Sequence, residues 1–227
     1  KTPRFLPRGF LLVSCNYMFD LLLNVPAFFA TTFLLAMVPG QGSAMILRQS
    51  ILSGRKAAML SVLGNSTGLF IWGTTSSIGL SAIFARSQTA YSILKWSGVA
   101  FLFFLSVKTL LTLKNEFGRF DLQSSGESNP WAAYRLGLIT NLTNVKAAVF
   151  AVAFIPEFVP KDFSLGWGIF IFGCLWPLFS TPWYAILVWT VDKSSVWIQK
   201  PQVRRTLTAI SAFGIAMLAL GLAFSSK

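Results

Sequence analysis

Asn141–Phe158, NLTNVKAAVFAVAFIPEF, carries one lysine in a segment otherwise fit to lie in lipid. Lys146 is the only charged residue from Leu136 to Pro156, with ten uncharged positions on each side. A helix rises ~1.5 Å per residue, which puts Lys146 roughly 15 Å from either end, near the middle of a ~30 Å hydrocarbon layer. Burial of an unpaired lysine there costs about 3 kcal/mol on insertion scales, so the residue is expected beside a polar cavity or a partner. Snorkelling does not answer the problem, because the side chain does not reach ~15 Å. Two readings remain at this stage: a receptor for a carboxylate, or a structural cation bonded to carbonyls of a neighbouring helix.

Composition agrees that the surroundings are lipid. The chain has 227 residues, 54% hydrophobic and 11% charged, against about 25% charged in a soluble domain. Leu21–Leu47, Ala57–Ala85, Phe163–Val191 and Thr206–Ser226 contain no Asp, Glu, Lys or Arg, and each has the ~20 residues a spanning helix needs. Ser92–Leu113, with Lys95 and Lys108 near its ends, and the Lys146 segment bring the expected count to six. The fold class is therefore an all-α integral membrane protein of six transmembrane helices. Residues 18–113 and 131–227 form two three-helix halves joined by a polar loop at 114–130. An odd number of spans in each half makes the second enter the membrane in the opposite sense, the arrangement of inverted-repeat transporters.

The net charge of +12 raises nucleic acid as a partner, and its distribution argues against it. Odd-numbered connections hold eleven basic residues and even ones three. The positive-inside rule then places the odd loops in the cytoplasm and both termini outside. Trp96, Trp131, Trp167 and Trp197 fall near the expected span ends, as an aromatic belt requires. Residues 1–17 break the charge pattern with Lys1, Arg4 and Arg8, and read as a non-native or disordered extension before Met18, a signal peptide being the alternative. The absence of histidine removes His-ligated metal, bis-His haem and a Ser-His triad together. Cys15 and Cys174 make no disulfide framework, and no cofactor or metal is expected. Asp20, Glu157 and Asp192 lie near span ends and read as solvated charges, with entry-site acids as the alternative.

Several helices carry further signals. Pro39-Gly40-Gln41-Gly42 interrupts the first apolar run and predicts a break or an early helix end there. Span 2 presents Ser61, Gly64, Gly68, Thr75 and Gly79 on one face, with Gly64 and Gly68 as a GxxxG packing pair and Asn65 beside them. Span 5 contains Pro177 and Pro182, each deleting a backbone donor, so a kink or unwound section is expected. Ala209, Ala212, Ala216, Ala219 and Ala223 form a small-residue seam on span 6, for the bundle core or, alternatively, a homodimer.

At these residues the chain resembles the LysE/RhtB family of amino-acid exporters. The likeness runs from Met18 onward through Val38-Pro39-Gly40, Ser53-Gly54-Arg55-Lys56, Gly64 to Gly68, Ile78-Gly79-Leu80 and Leu142-Thr143-Asn144-Val145-Lys146, followed by Pro156 and Phe158. Gln41 and Val145 stand where the family pattern has prolines. The resemblance implies secondary-active efflux of amino acids or small derivatives across the bacterial cytoplasmic membrane, driven by the proton gradient, with no enzymatic activity. Lys146 would then engage the substrate carboxylate, with Asn144, Gln41 and Asn65 as polar neighbours. Pro39, Gly40, Pro177 and Pro182 would permit the motion. A Ser-Lys hydrolase lacks an orienting acid or histidine and a marked nucleophile. A transport-deficient scaffold or regulator, suggested by the two missing prolines, is the remaining alternative.

Overall fold

The computed structural model describes residues 18–37, 40–111, 129–198 and 201–224. The expectations for residues 1–17, Pro39 and most of the 114–130 loop lie outside them. All regular elements among the described residues are helical. α1 is Val25–Met37, continuing a helical lead so that Met18–Met37 forms one apolar stretch of 20 residues. α2 is Gln41–Arg86, α3 Gln88–Leu111 and α4 Pro130–Leu142. α5, Val145–Val149, runs on through a π-turn at Phe150–Phe154 and a 3-10 turn at Ile155–Phe158. α6 is Leu165–Ile198 and α7 Pro201–Phe224.

Met18–Met37 and Leu165–Thr190 are each long and apolar enough to cross a bilayer alone. Pro130–Leu142 and Val145–Phe158, bent by 54° at their junction, make a third span if taken as one. Among the described residues two spans are thus clear, or three with the bent pair, where six were expected. α2, α3 and α7 have the length, but α2 carries Ser, Thr, Gly and Asn through its middle and α3 carries lysines at both ends.

The helical breaks have identifiable causes. α1 stops at Met37, just before Val38-Pro39, and α2 restarts after Gly40, whose carbonyl accepts from the Ala44 N–H at 2.9 Å. Within α2 the regular geometry fails at Gly54, φ 80° and ψ 174°, a conformation essentially reserved for glycine. α4 begins on an Asn129 cap, whose side chain accepts from the N–H groups of Trp131 and Ala132, with Pro130 at the first helical position. α6 runs as one helix through Pro177 and Pro182, so the unwound section expected there is not seen. A membrane helix re-satisfies the carbonyls freed by a proline from neighbouring groups.

Glycines set how closely the helices cross. A Cβ on Gly64 would strike the Tyr134 carbonyl, and one on Gly137 the Ser61 carbonyl, so α2 and α4 meet backbone to backbone. Ser61 Oγ seals that contact by donating to Ala133 O at 2.8 Å. Gly73 and Gly173 make the equivalent close approach between α2 and α6. The expected span 2 stripe therefore holds from Ser61 to Gly68 and then rotates away: Thr75 and Gly79 are exposed, and the contact passes to Gly73. Ala212 and Ala219 of α7 are buried while Ala216 is half-buried, and Ser106 Oγ of α3 donates to Ala212 O at 2.8 Å. That part of the seam belongs to the bundle. Trp96, Trp131 and Trp167 are exposed, as a belt against lipid headgroups would be.

Candidate functional site

The two chain breaks lie against each other. Asn144 caps α5, accepting from the Lys146 N–H at 3.1 Å, and directs the lysine side chain across to α1. There Lys146 Nζ donates to the Leu35 carbonyl at 3.2 Å. In an unbroken helix that carbonyl would bond the N–H of residue 39, and proline has none. The part-buried ammonium and the freed carbonyl therefore answer each other across the junction. At the exposed rim Gln41 Nε2 donates to Thr143 Oγ1 at 3.5 Å, tying the start of α2 to the α4–α5 bend.

Beside Lys146 is a small cavity of about 20 Å³, room for roughly one water molecule. Asn141 and Asn144 contribute from the α4–α5 bend, and Trp176, Ser180 and Tyr184 from α6. Among the described residues no carboxylate lines it. Asn141 Nδ2 donates to Asn65 Oδ1 at 3.1 Å, and both residues are almost fully buried. Tyr184 is hydrogen-bonded to Ser43, and the missing side chain of Gly42 leaves space shared by Asn65 Oδ1 and Tyr184 Oη. Below the cavity an aromatic floor packs Phe28 on Phe172, with centroids 4.7 Å apart, and Phe150 on Trp176 at 4.9 Å.

Of the residues expected from sequence, Lys146 and Asn144 line this cavity, Asn65 joins it through Asn141, and Gln41 stays at the rim. Gly40 sits at the break, Pro177 is buried next to Trp176, and Pro182 is exposed. Asn141, Ser180 and Tyr184 were not anticipated. Asn141 lies five positions before Lys146, about 140° away around an unbroken helix, and only the bend at 143–144 brings the two together. For α6 a signal existed: Phe172, Trp176, Ser180 and Tyr184 recur every four residues, with two polar groups on one otherwise apolar face.

One acidic residue departs from expectation. Glu157 is not solvated: its carboxylate lies 3.6 Å from Lys95 Nζ, with both side chains about nine-tenths buried. The 3-10 turn carries Glu157 back under α3, where lipid and helices leave a charge no option but to pair. Asp20 is exposed, and the side chain of Asp192 falls outside the described set.

A helical protein whose chain breaks meet around a part-buried cation has the build of a membrane translocator. The chain belongs to the LysE type translocator family, whose model matches residues 33–226. It is 28% identical over 204 residues to the homoserine/homoserine lactone efflux protein of Salmonella typhimurium, covering 88% of this chain and 95% of that one. It is 25% identical over 203 residues to the uncharacterized membrane protein YrhP of Bacillus subtilis, covering 86% and 95%. An uncharacterized membrane protein of Vibrio cholerae is 27% identical over 133 residues, 59% of this chain and 63% of that one. No solved structure matches.

Proposed function

We propose that this chain is a secondary-active exporter of amino acids or small amino-acid derivatives in the bacterial cytoplasmic membrane, driven by the proton gradient. The observation that carries the reading is the Lys146 ammonium held on the Leu35 carbonyl beside a polar void, where the α1–α2 break meets the α4–α5 bend. A carboxylate competes well for such an ammonium, because a charge-assisted hydrogen bond is about twice as strong as a neutral one. Leu35 O occupies the donor until substrate arrives, and Lys146 exchanges the carbonyl for the solute carboxylate. The cavity holds only about a water's volume, so this is a closed conformation and loading requires the lining helices to part.

The six-span arrangement of inverted halves, with odd loops in the cytoplasm and both termini outside, belongs to the same reading. Its support is the pairing of helices: α2 packs on α6 at the Gly73–Gly173 contact, α3 packs on α7, and the second half opens with a span bent by 54°. The names of the Salmonella relatives support an amino-acid-derived substrate. Lys146→Ala is expected to abolish resistance of cells to an amino acid given in toxic excess, while immunoblotting finds the variant in the membrane at wild-type level. Wild-type efflux by that variant removes Lys146 from the mechanism. A wild-type chain that confers no resistance to any amino acid tried favours the scaffold role.

A further inference from the structure

We infer that the Asn65–Asn141 amide pair is a specificity-determining receptor for a hydroxyl group on the transported solute, a role that rests on the exporter reading above. The two amides exchange one hydrogen bond, Asn141 Nδ2 to Asn65 Oδ1. Among the described residues Asn65 Nδ2 and Asn141 Oδ1 have no partner, although the two asparagines are 1% and 2% exposed. Exchanging the ends of both amides leaves the same complement, one donor and one acceptor. A buried amide group left unpaired is costly, and native interiors rarely keep one without a use. A solute hydroxyl can accept from one and donate to the other at once, taking the place a water would fill.

The position suits a substrate group. Asn141 lines the Lys146 cavity, and Asn65 stands behind it, bonded to the Asn141 amide, with its Oδ1 facing the space that Gly42 leaves beside Tyr184. Ser180 Oγ, a third buried atom without a partner, lines the same cavity from α6. A Cβ at Gly68 would run into the Asn141 amide, so glycine there keeps the amide in place. Holding α2 to α4 does not require the pair, because Gly64, Gly137 and the Ser61–Ala133 bond already do so a turn away. Lys146 takes the carboxylate and the amides take the side-chain hydroxyl. With no carboxylate in the lining and an ammonium present, a basic side chain is disfavoured.

Counterflow in proteoliposomes with L-homoserine and L-2-aminobutyrate tests this, since the two differ only by the hydroxyl. The wild-type chain is expected to prefer L-homoserine about ten-fold or more. Asn141→Leu and Asn65→Leu should bring the ratio to roughly two-fold or less by slowing homoserine alone; where a leucine variant does not reconstitute, Asn141→Ser and Asn65→Ala carry the same test. An unchanged ratio in folded variants, a parallel fall for both solutes, or no wild-type preference overturns the receptor role. Counterflow of neither solute by the wild type defeats the exporter reading instead, and undiminished counterflow in Lys146→Ala removes Lys146 from the mechanism.

Discussion

Pro39 and Lys146 are 107 positions apart in sequence, yet one removes a hydrogen-bond donor and the other supplies it. Each was conspicuous alone: a proline in an apolar run and a charge at mid-membrane depth. Their connection was not legible, because it depends on which helix faces which. The same holds for Asn141, hidden by the bend, and for Glu157, whose charge read as solvated because it sits near a span end. The buried Lys95–Glu157 pair has a measurable consequence. Glu157→Gln removes one charge and leaves an ammonium in a dry setting, an error worth on the order of 3 kcal/mol. The thermal midpoint of the purified protein in detergent should fall by several degrees, and Lys95→Met combined with Glu157→Leu should recover most of it. A Glu157→Gln protein as stable as wild type would show that the pair is hydrated.

Among the helices, local chemistry was easiest to read where a cap, a proline or a small residue acts on its own segment. Pro-Gly at 39–40 announced the break that follows Met37, and Ser61, Gly64 and Gly68 announced a close-packed face. The partners on the far side, Gly137 and Gly173, carried no comparable signal, since a lone glycine in an apolar helix has many uses. Pro177 and Pro182 pointed the other way: two strong breaker signals lie inside an unbroken helix. The glycine contacts divide sharply by position. Gly64→Ala and Gly137→Ala force a methyl into a neighbouring carbonyl and should cost about 1–3 kcal/mol or prevent folding, whereas Gly79→Ala meets nothing within 4 Å and should be neutral. Fluorescence-detected gel filtration of heated samples distinguishes these outcomes, and equal losses at Gly79 and Gly64 would contradict the packing described.

At the scale of the molecule, α1, α2, α6 and the α4–α5 bend close on one cavity. Membrane character, and the importance of Lys146, were legible from charge gaps alone; the number of clearly apolar spans was not, because α2 carries Ser, Thr, Gly and Asn through its middle and α3 carries lysines near both ends. Gly54, with its glycine-only backbone, and the rim contact from Gln41 to Thr143 bound the segment between them, which is where a path from the odd-loop side to Lys146 would open. Lys146→Cys in a chain with Cys15→Ser and Cys174→Ser, treated in membrane vesicles of either orientation with a membrane-impermeant thiol reagent, measures whether that path exists. Modification from an aqueous side, slowed several-fold by an excess of L-homoserine, is the expected result. No modification from either side would mean that position 146 is sealed among helices, and that its cation serves structure alone.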